Sequence, residues 1–318
     1  TILIGASSIT VTATPYSRVA LSMGGTLYGT GIVPAGGSLT LPITPFTSTG
    51  TASLVITAQN KITRIENITI APNSGPYMNV TGVSYSDTNN SVPEYNETGR
   101  FSPTFQNVGS AAATNVAATL TCSTGGITIT DGTHSIASLA SGASTTGTNA
   151  YSFTIANGIA DGTMAAFTIT MVSGTNTWVH NFSLEINAPV LAFGTMTISD
   201  PTGNNNGRLD PGETVTITMP LNNSGGAASP AGTASLTSTT SGITINTGSA
   251  SFTGIAASGS QNLSFSLTAA SGMVIGTVVN LSFNATAGSY IANKAETTTV
   301  GIILEDFETG TFNSYPWV

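Results

Sequence analysis

A two-residue alternation of apolar and small polar residues constrains this sequence more than any other feature. Ile127-Thr-Ile129-Thr, Phe167-Thr-Ile169-Thr-Met171, Val215-Thr-Ile217-Thr-Met219, Leu263-Ser-Phe265-Ser-Leu267 and Leu281-Ser-Phe283 all follow it. Successive strand side chains point to opposite faces, so each stretch has one face for a core and one for water. Shorter strand-like runs at 19–23, 39–43 and 54–57 are separated by turns such as Gly24-Gly25 and Gly36-Gly37. No stretch shows the three-to-four spacing of an amphipathic helix. Strands with no helices between them predict an all-β chain of tandem immunoglobulin-like β-sandwiches, not βαβ units.

Charge narrows the function classes. Of 318 residues only 6% are charged, Lys+Arg number 6, and the net charge is −8. A soluble domain usually carries about 25% charged residues. Coiled coils are excluded, and nothing basic is present to bind nucleic acid or an anionic membrane. No apolar run approaches the ~20 residues of a membrane-spanning helix, so direct membrane insertion is not expected. The single cysteine excludes an internal disulfide and a cysteine-built zinc site. The chain begins at Thr1 without a leader-like segment and stops at Val318 just after a new apolar cluster, which predicts an internal piece of a longer protein.

The sequence repeats itself. Gln106-Asn107-Val108-Gly109 matches Asn222-Asn223-Ser224-Gly225, and Gly126-Ile127-Thr128-Ile129 matches Gly242-Ile243-Thr244-Ile245, both at a separation of 116. Phe167-Thr168-Ile169 matches Leu281-Ser282-Phe283 at 114, so the second copy is shorter by two residues in a loop. A period of this length is a whole domain. The expected domains are 1–73, 74–188 and 189–303, with linkers at 71–76 and around Ala188-Pro189. The stretch 304–318 repeats nothing before it.

The run from Arg18 through Val33, then Gly36-Gly37-Ser-Leu-Thr-Leu and Leu54-Val-Ile-Thr-Ala-Gln-Asn-Lys-Ile, resembles the immunoglobulin-like domain that follows the catalytic domain of gingipain-type cysteine peptidases. Ala58-Gln59 departs from that family's usual Gly-Tyr before Asn-Lys. The second and third domains resemble the immunoglobulin-like repeats of secreted Bacteroidota proteins, through Arg208-Leu-Asp-Pro-Gly-Glu-Thr-Val-Thr-Ile and Asn223-Ser-Gly225. Glu305-Asp306-Phe307-Glu308-Thr309-Gly310 with Pro316-Trp317 is similar to the first strand of a jelly-roll adhesin domain. The resemblance implies an extracellular or cell-surface parent of gingipain-like cysteine peptidase build, exported by type IX secretion. Its partners would be neighbouring domains and, through a C-terminal signal not in this sequence, the secretion machinery. This part of the chain would be a non-catalytic spacer, with a surface adhesin or filament-forming module as the alternative.

One loop carries candidate chemistry. With Gly207 at position six of an EF-hand-type loop, Thr202, Asn204, Asn206, Arg208, Asp210 and Glu213 fall at positions one, three, five, seven, nine and twelve. Oxygen ligands at that spacing wrap calcium. Thr202 stands where a carboxylate belongs, and Asp200 can substitute from two residues earlier. The alternative is ordinary turn chemistry of Asn, Asp, Gly and Pro. The matching loop of the second repeat holds Asp87, Glu94 and Glu97, lacks the glycine, and reads as a plain loop. Cys122, His134 and His180 form no pattern for nucleophilic catalysis and read as incidental. Trp178 and Trp317 read as core or interface residues. Sequons at Asn67, Asn79, Asn96, Asn181, Asn222, Asn262, Asn280 and Asn284 carry no glycan expectation for a bacterial source.

Overall fold

The computed structural model describes residues 1–72 and 74–302. All regular elements among them are strands, and no helix is long and apolar enough to cross a membrane. The boundary residue Asn73 and the stretch 304–318 lie outside the described residues.

The first module contains β1 (Ile2–Leu3), β2 (Ser8–Thr12), β3 (Arg18–Met23), β4 (Thr26–Ile32), β5 (Ser38–Pro42), β6 (Gly50–Thr57) and β7 (Arg64–Ala71). Its sheets are β1-β7-β6-β3-β4 and β2-β5. Val19, Leu21, Ala52, Leu54 and Ile70 of the larger sheet pack with Val11 and Leu41 of the smaller one.

The second module contains β8 (Met78–Ser86), β9 (Thr98–Asn107), β10 (Ala113–Cys122), β11 (Ile127–Asp131), β12 (Thr133–Leu139), β13 (Ser144–Thr146), β14 (Tyr151–Ile155), β15 (Thr163–Ser173) and β16 (Asn176–Ile186). One sheet runs β12-β10-β15-β16; the other runs β11-β14-β9-β13, with β8 also on β9. Phe101, Phe105, Phe153 and Phe167 are buried, and Phe101 lies 4.7 Å from Phe153 and 4.9 Å from Phe167.

The third module contains β17 (Leu191–Phe193), β18 (Thr197–Ser199), β19 (Thr214–Asn223), β20 (Gly232–Ser238), β21 (Ile243–Thr247), β22 (Ser249–Phe252), β23 (Ser260–Ala269), β24 (Val278–Ala287) and β25 (Tyr290–Thr299). Its sheets are β17-β19-β23-β21, with β18 on β19, and β22-β20-β24-β25. The alternation is plainest in β24, where Val279, Leu281, Phe283, Ala285 and Ala287 are buried and every residue between them is exposed. They meet Val215, Ile217, Met219 and Leu221 of β19 and Leu263, Phe265 and Leu267 of β23 in one core. Each large side chain so buried contributes about 1.5–3 kcal/mol.

The chain is thus all-β, in tandem β-sandwiches, as the alternation implies. By compactness it divides differently from the repeat. One unit holds Thr1–Ser91, Thr98–Thr154 and Ala166–Ser183; the other holds Val92–Glu97, Ile155–Ala165 and the chain from Leu184 onward. Two loops of the second repeat therefore group with the third.

Candidate functional site

The loop 200–213 joins β18 to β19. Asp200 is buried and takes the backbone N–H of Asn206 at 3.1 Å and of Gly207 at 2.8 Å. Gly207 has φ +77°, a left-handed conformation that glycine adopts without a steric cost. Glu213 closes the loop, accepting N–H from Asn204 at 3.0 Å and from Asp210 at 3.3 Å. Asp210 Oδ2 receives the side-chain amides of Asn204 and Asn206 at 2.7 and 2.8 Å. The oxygens of those amides accept the backbone N–H of Asn206 at 3.1 Å and of Arg208 at 2.9 Å. Thr202 and Arg208 are exposed. Burial pushes the Asp200 carboxyl up, but the N–H groups of Gly207 and Asn206 outweigh it and hold it below the usual carboxylate range.

Asp200, Asn204, Asn206, Asp210 and Glu213 are thus brought together by hydrogen bonds, which Arg208 joins through its backbone N–H. The donor types suit a hard cation. As folded, however, amide protons occupy Asp210, and a cation there would have to displace them. Among the described residues no three of His, Cys, Asp and Glu are arranged to hold a metal ion. The ion pairs among the described residues are Arg64–Glu66 and Lys294–Glu296; neither involves a carboxylate of this loop, which carries Arg208 itself.

The loop of the second repeat uses the same chemistry on a shorter path. Asp87 Oδ1 accepts N–H from Asn89 at 2.7 Å and Ser91 at 2.9 Å. Burial raises the Asp87 carboxyl, and these bonds, with those of Asn90 and Tyr85, bring it below its usual range. Glu97 accepts the N–H of Glu94 at 3.3 Å, as Glu213 does that of Asp210.

The repeated Asn-x-Gly motif has a role that sequence reasoning missed. Asn107 and Asn223 are buried polar side chains. Asn107 Oδ1 accepts N–H from Tyr77 and Gly109, both at 3.1 Å, and its amide donates to the carbonyls of Ala111 at 2.8 Å and Leu139 at 2.9 Å. Asn223 Oδ1 accepts from Val190 at 3.0 Å and Gly225 at 3.1 Å, and its amide donates to Ala227 at 2.8 Å and Ile255 at 3.0 Å. In both modules the asparagine fastens the incoming linker to the end of a central strand. The glycine follows from the same contact. A Cβ on Gly109 would overlap the backbone of residues 75–77, and one on Gly225 would overlap that of residues 188–190.

The outgoing chain is fastened too. Asn187 N donates to Pro93 O at 2.9 Å, and Gly301 N donates to Leu209 O at 2.8 Å. Within the second unit, Asp161 accepts N–H from Ala188 at 2.8 Å and Gly226 at 3.0 Å. Tyr95 donates to Ala228 O at 2.9 Å and meets Tyr290 edge-on at 5.1 Å, and Tyr290 donates to Ile159 O at 3.2 Å. The linker around Ala188-Pro189 is therefore held from both sides.

No family model matches the chain, and no curated protein matches it. Among solved structures, one described as "Structure of Protease" is 36% identical over 21% of this chain and 15% of its own, with a TM-score of 0.20. The crystal structure of red sea bream transglutaminase is 11% identical, with 71% of this chain and 31% of its own covered and a TM-score of 0.28. The chain spans well under half of either protein. At these TM-scores neither likeness carries an argument about fold or chemistry.

Cys122, the two histidines and Trp178 lie in strands of the second module. Cys122 Sγ lies 4.0 Å from the carbonyl of Thr124. His134 stacks on Phe105 at 5.5 Å. Burial holds His180 below the usual histidine range, and it lies 6.0 Å from Phe182. Trp178 is buried and meets Tyr77 edge-on at 6.3 Å.

Proposed function

We propose that this chain is a non-catalytic stalk. Its immunoglobulin-like modules space and orient neighbouring domains of a secreted, cell-surface protein of the gingipain-like build that the sequence resembles. Export would use type IX secretion through a signal outside this sequence. The observation that carries the stalk reading is the pair of buried clasps at Asn107 and Asn223. A spacer must fix where each module takes up the chain from the one before, and the same four-bond device does so twice. Buried amides of this kind specify one arrangement, because leaving them unpaired is costly.

Amide hydrogen exchange tests the stalk. Ala188 and Val190 donate to Asp161 and Asn223, so both should be protected, and Asn223→Ala should release Val190 first. Exchange at the unfolded-chain rate in the unaltered protein would sink the reading. So would hydrolysis of Arg- or Lys-containing peptides that disappears with Cys122→Ala.

The loop 200–213 is proposed as a calcium site that stiffens one end of the third module. Its support is the donor chemistry of Asp200, Asp210, Glu213 and the Asn204 and Asn206 amides. Calcium at a hundred times its dissociation constant would stabilise the fold by about 2.7 kcal/mol. The thermal midpoint should rise with calcium, fall with a chelator, and lose this response in Asp210→Ala. Identical midpoints with and without chelator would remove calcium from the account.

A further inference from the structure

A cavity of about 490 Å³ lies within the first compact unit, walled by β6 and β7 on one side and by β8 and β16 on the other. The first wall is the outer face of a sheet. Ala52, Leu54, Ile68 and Ile70 take the core side, so Thr51, Asn67 and Thr69, which alternate with them, take the other. β8 and β16 are edge strands of the two sheets of the second module. Met78 and Val80 are buried, which turns Asn79 between them outward, where its amide donates to Thr69 Oγ1 at 3.0 Å. That bond joins the two walls.

The lining is polar and carries no Lys, Arg, Asp or Glu. Burial holds His180 below the usual histidine range, so its ring is neutral near pH 7, with one nitrogen to donate and one to accept. Hydrogen-bonding capacity is left over on both walls. Asn181 Oδ1 accepts from Thr168 at 2.8 Å, which leaves the Asn181 NH₂ to donate. The Asn67 amide makes no side-chain hydrogen bond among the described residues. Trp178 is only 8% exposed, and its indole N–H has no partner among the described residues, yet it is not sealed from solvent. A buried indole N–H ordinarily has a partner. Here it belongs to a ring that lines the cavity.

We propose that this cavity binds a neutral saccharide unit, either a free monosaccharide or the end residue of a glycan. A sugar ring presents hydroxyls that both donate and accept and carries no charge, which matches amides, hydroxyls and an indole N–H on facing walls. An anion would meet no cation there. An apolar molecule would leave the amides and the indole without partners, at a cost. Tyr77 and Trp178, edge-on at 6.3 Å, supply apolar surface for the C–H side of the ring. The volume falls within the roughly 300–1,000 Å³ of small-ligand sites. This inference is independent of the stalk reading.

The test uses the full chain carrying Trp317→Phe, which leaves Trp178 as its one tryptophan. Glucose, galactose, mannose, N-acetylglucosamine and their methyl glycosides are titrated into the millimolar range against indole fluorescence. A saturable change with at least one of them is expected, weakened about tenfold by Asn67→Ala with Asn181→Ala. A methyl glycoside that binds like its parent sugar assigns the end of a glycan, and binding lost on methylation assigns the free sugar. In case the double variant misfolds, the Trp178 indole N–H resonance of the Trp317→Phe chain should shift with the same sugar at the same midpoint. No saturation with any of these sugars, a motionless indole resonance, or equal affinity in a double variant that keeps its thermal midpoint would overturn the proposal. Tighter binding of glucuronate would also overturn it, since the site would then select charge.

Discussion

Asn223 shows how much one buried amide can decide. Replacing it with alanine leaves Val190 N, Gly225 N and the Ala227 carbonyl without this partner, while the Ile255 carbonyl keeps the N–H of Ser229. Each orphaned group costs about 1–3 kcal/mol, with partial relaxation. Asn223→Ala should therefore lower stability by about 3–5 kcal/mol in chemical denaturation. Asn223→Asp should not rescue it, because a carboxylate cannot donate to the two carbonyls and its charge would be buried. An unchanged denaturation midpoint would show that the clasp adds nothing. The motif was legible in the sequence as a repeat, but its role was not. Asn-x-Gly reads as turn chemistry, and its linker partners Tyr77 and Val190 lie about 30 residues upstream, where no periodicity ties them to it.

At the scale of the element, strands and loops were unequally legible. β19, β23 and β24 are ten residues long and each carries at least seven residues of apolar–polar alternation, enough to show both the period and the buried face. β13, β17 and β18 have three residues each, too short to display a period, and pairing with a longer neighbour is what reveals them. Among the loops, composition located 200–213 but not its hub. Asp200 organises the turn from outside the twelve-residue frame, and Asp87 does the same in the second repeat. Both carboxyls sit below the ordinary aspartate range in the folded protein. A depressed folded-state value gives stability that is full above the unfolded value of about 4 and is lost as pH falls through the folded one. Denaturation midpoints between about pH 6 and pH 2 should drop in that acid range. Asp200→Asn and Asp87→Asn together should flatten the profile; an unaltered slope in the double variant would place the acid sensitivity elsewhere.

On the scale of the whole molecule, the repeat in the sequence and the compact units in space are two partitions. The repeat is legible because each module re-uses the same strand pattern at 116 residues. The grouping of Val92–Glu97 and Ile155–Ala165 with the chain beyond Leu184 is not legible. It depends on Asp161, Tyr95 and Tyr290 meeting backbone groups far away in sequence, and nothing in their local context announces that. The arrangement of the third module has a consequence under tension. Its chain enters at Val190, tied to Ser224 and Asn223 beside the C-terminal end of β19, and leaves at Gly301, tied to Leu209 just ahead of the N-terminal end. Traction on the two ends would thus arrive at opposite ends of one central strand about 33 Å long. β17 runs antiparallel to β19, so a pull on the entering chain acts along the strands. Bonds loaded in that direction share the force and fail together, whereas bonds at a peeled edge fail one at a time.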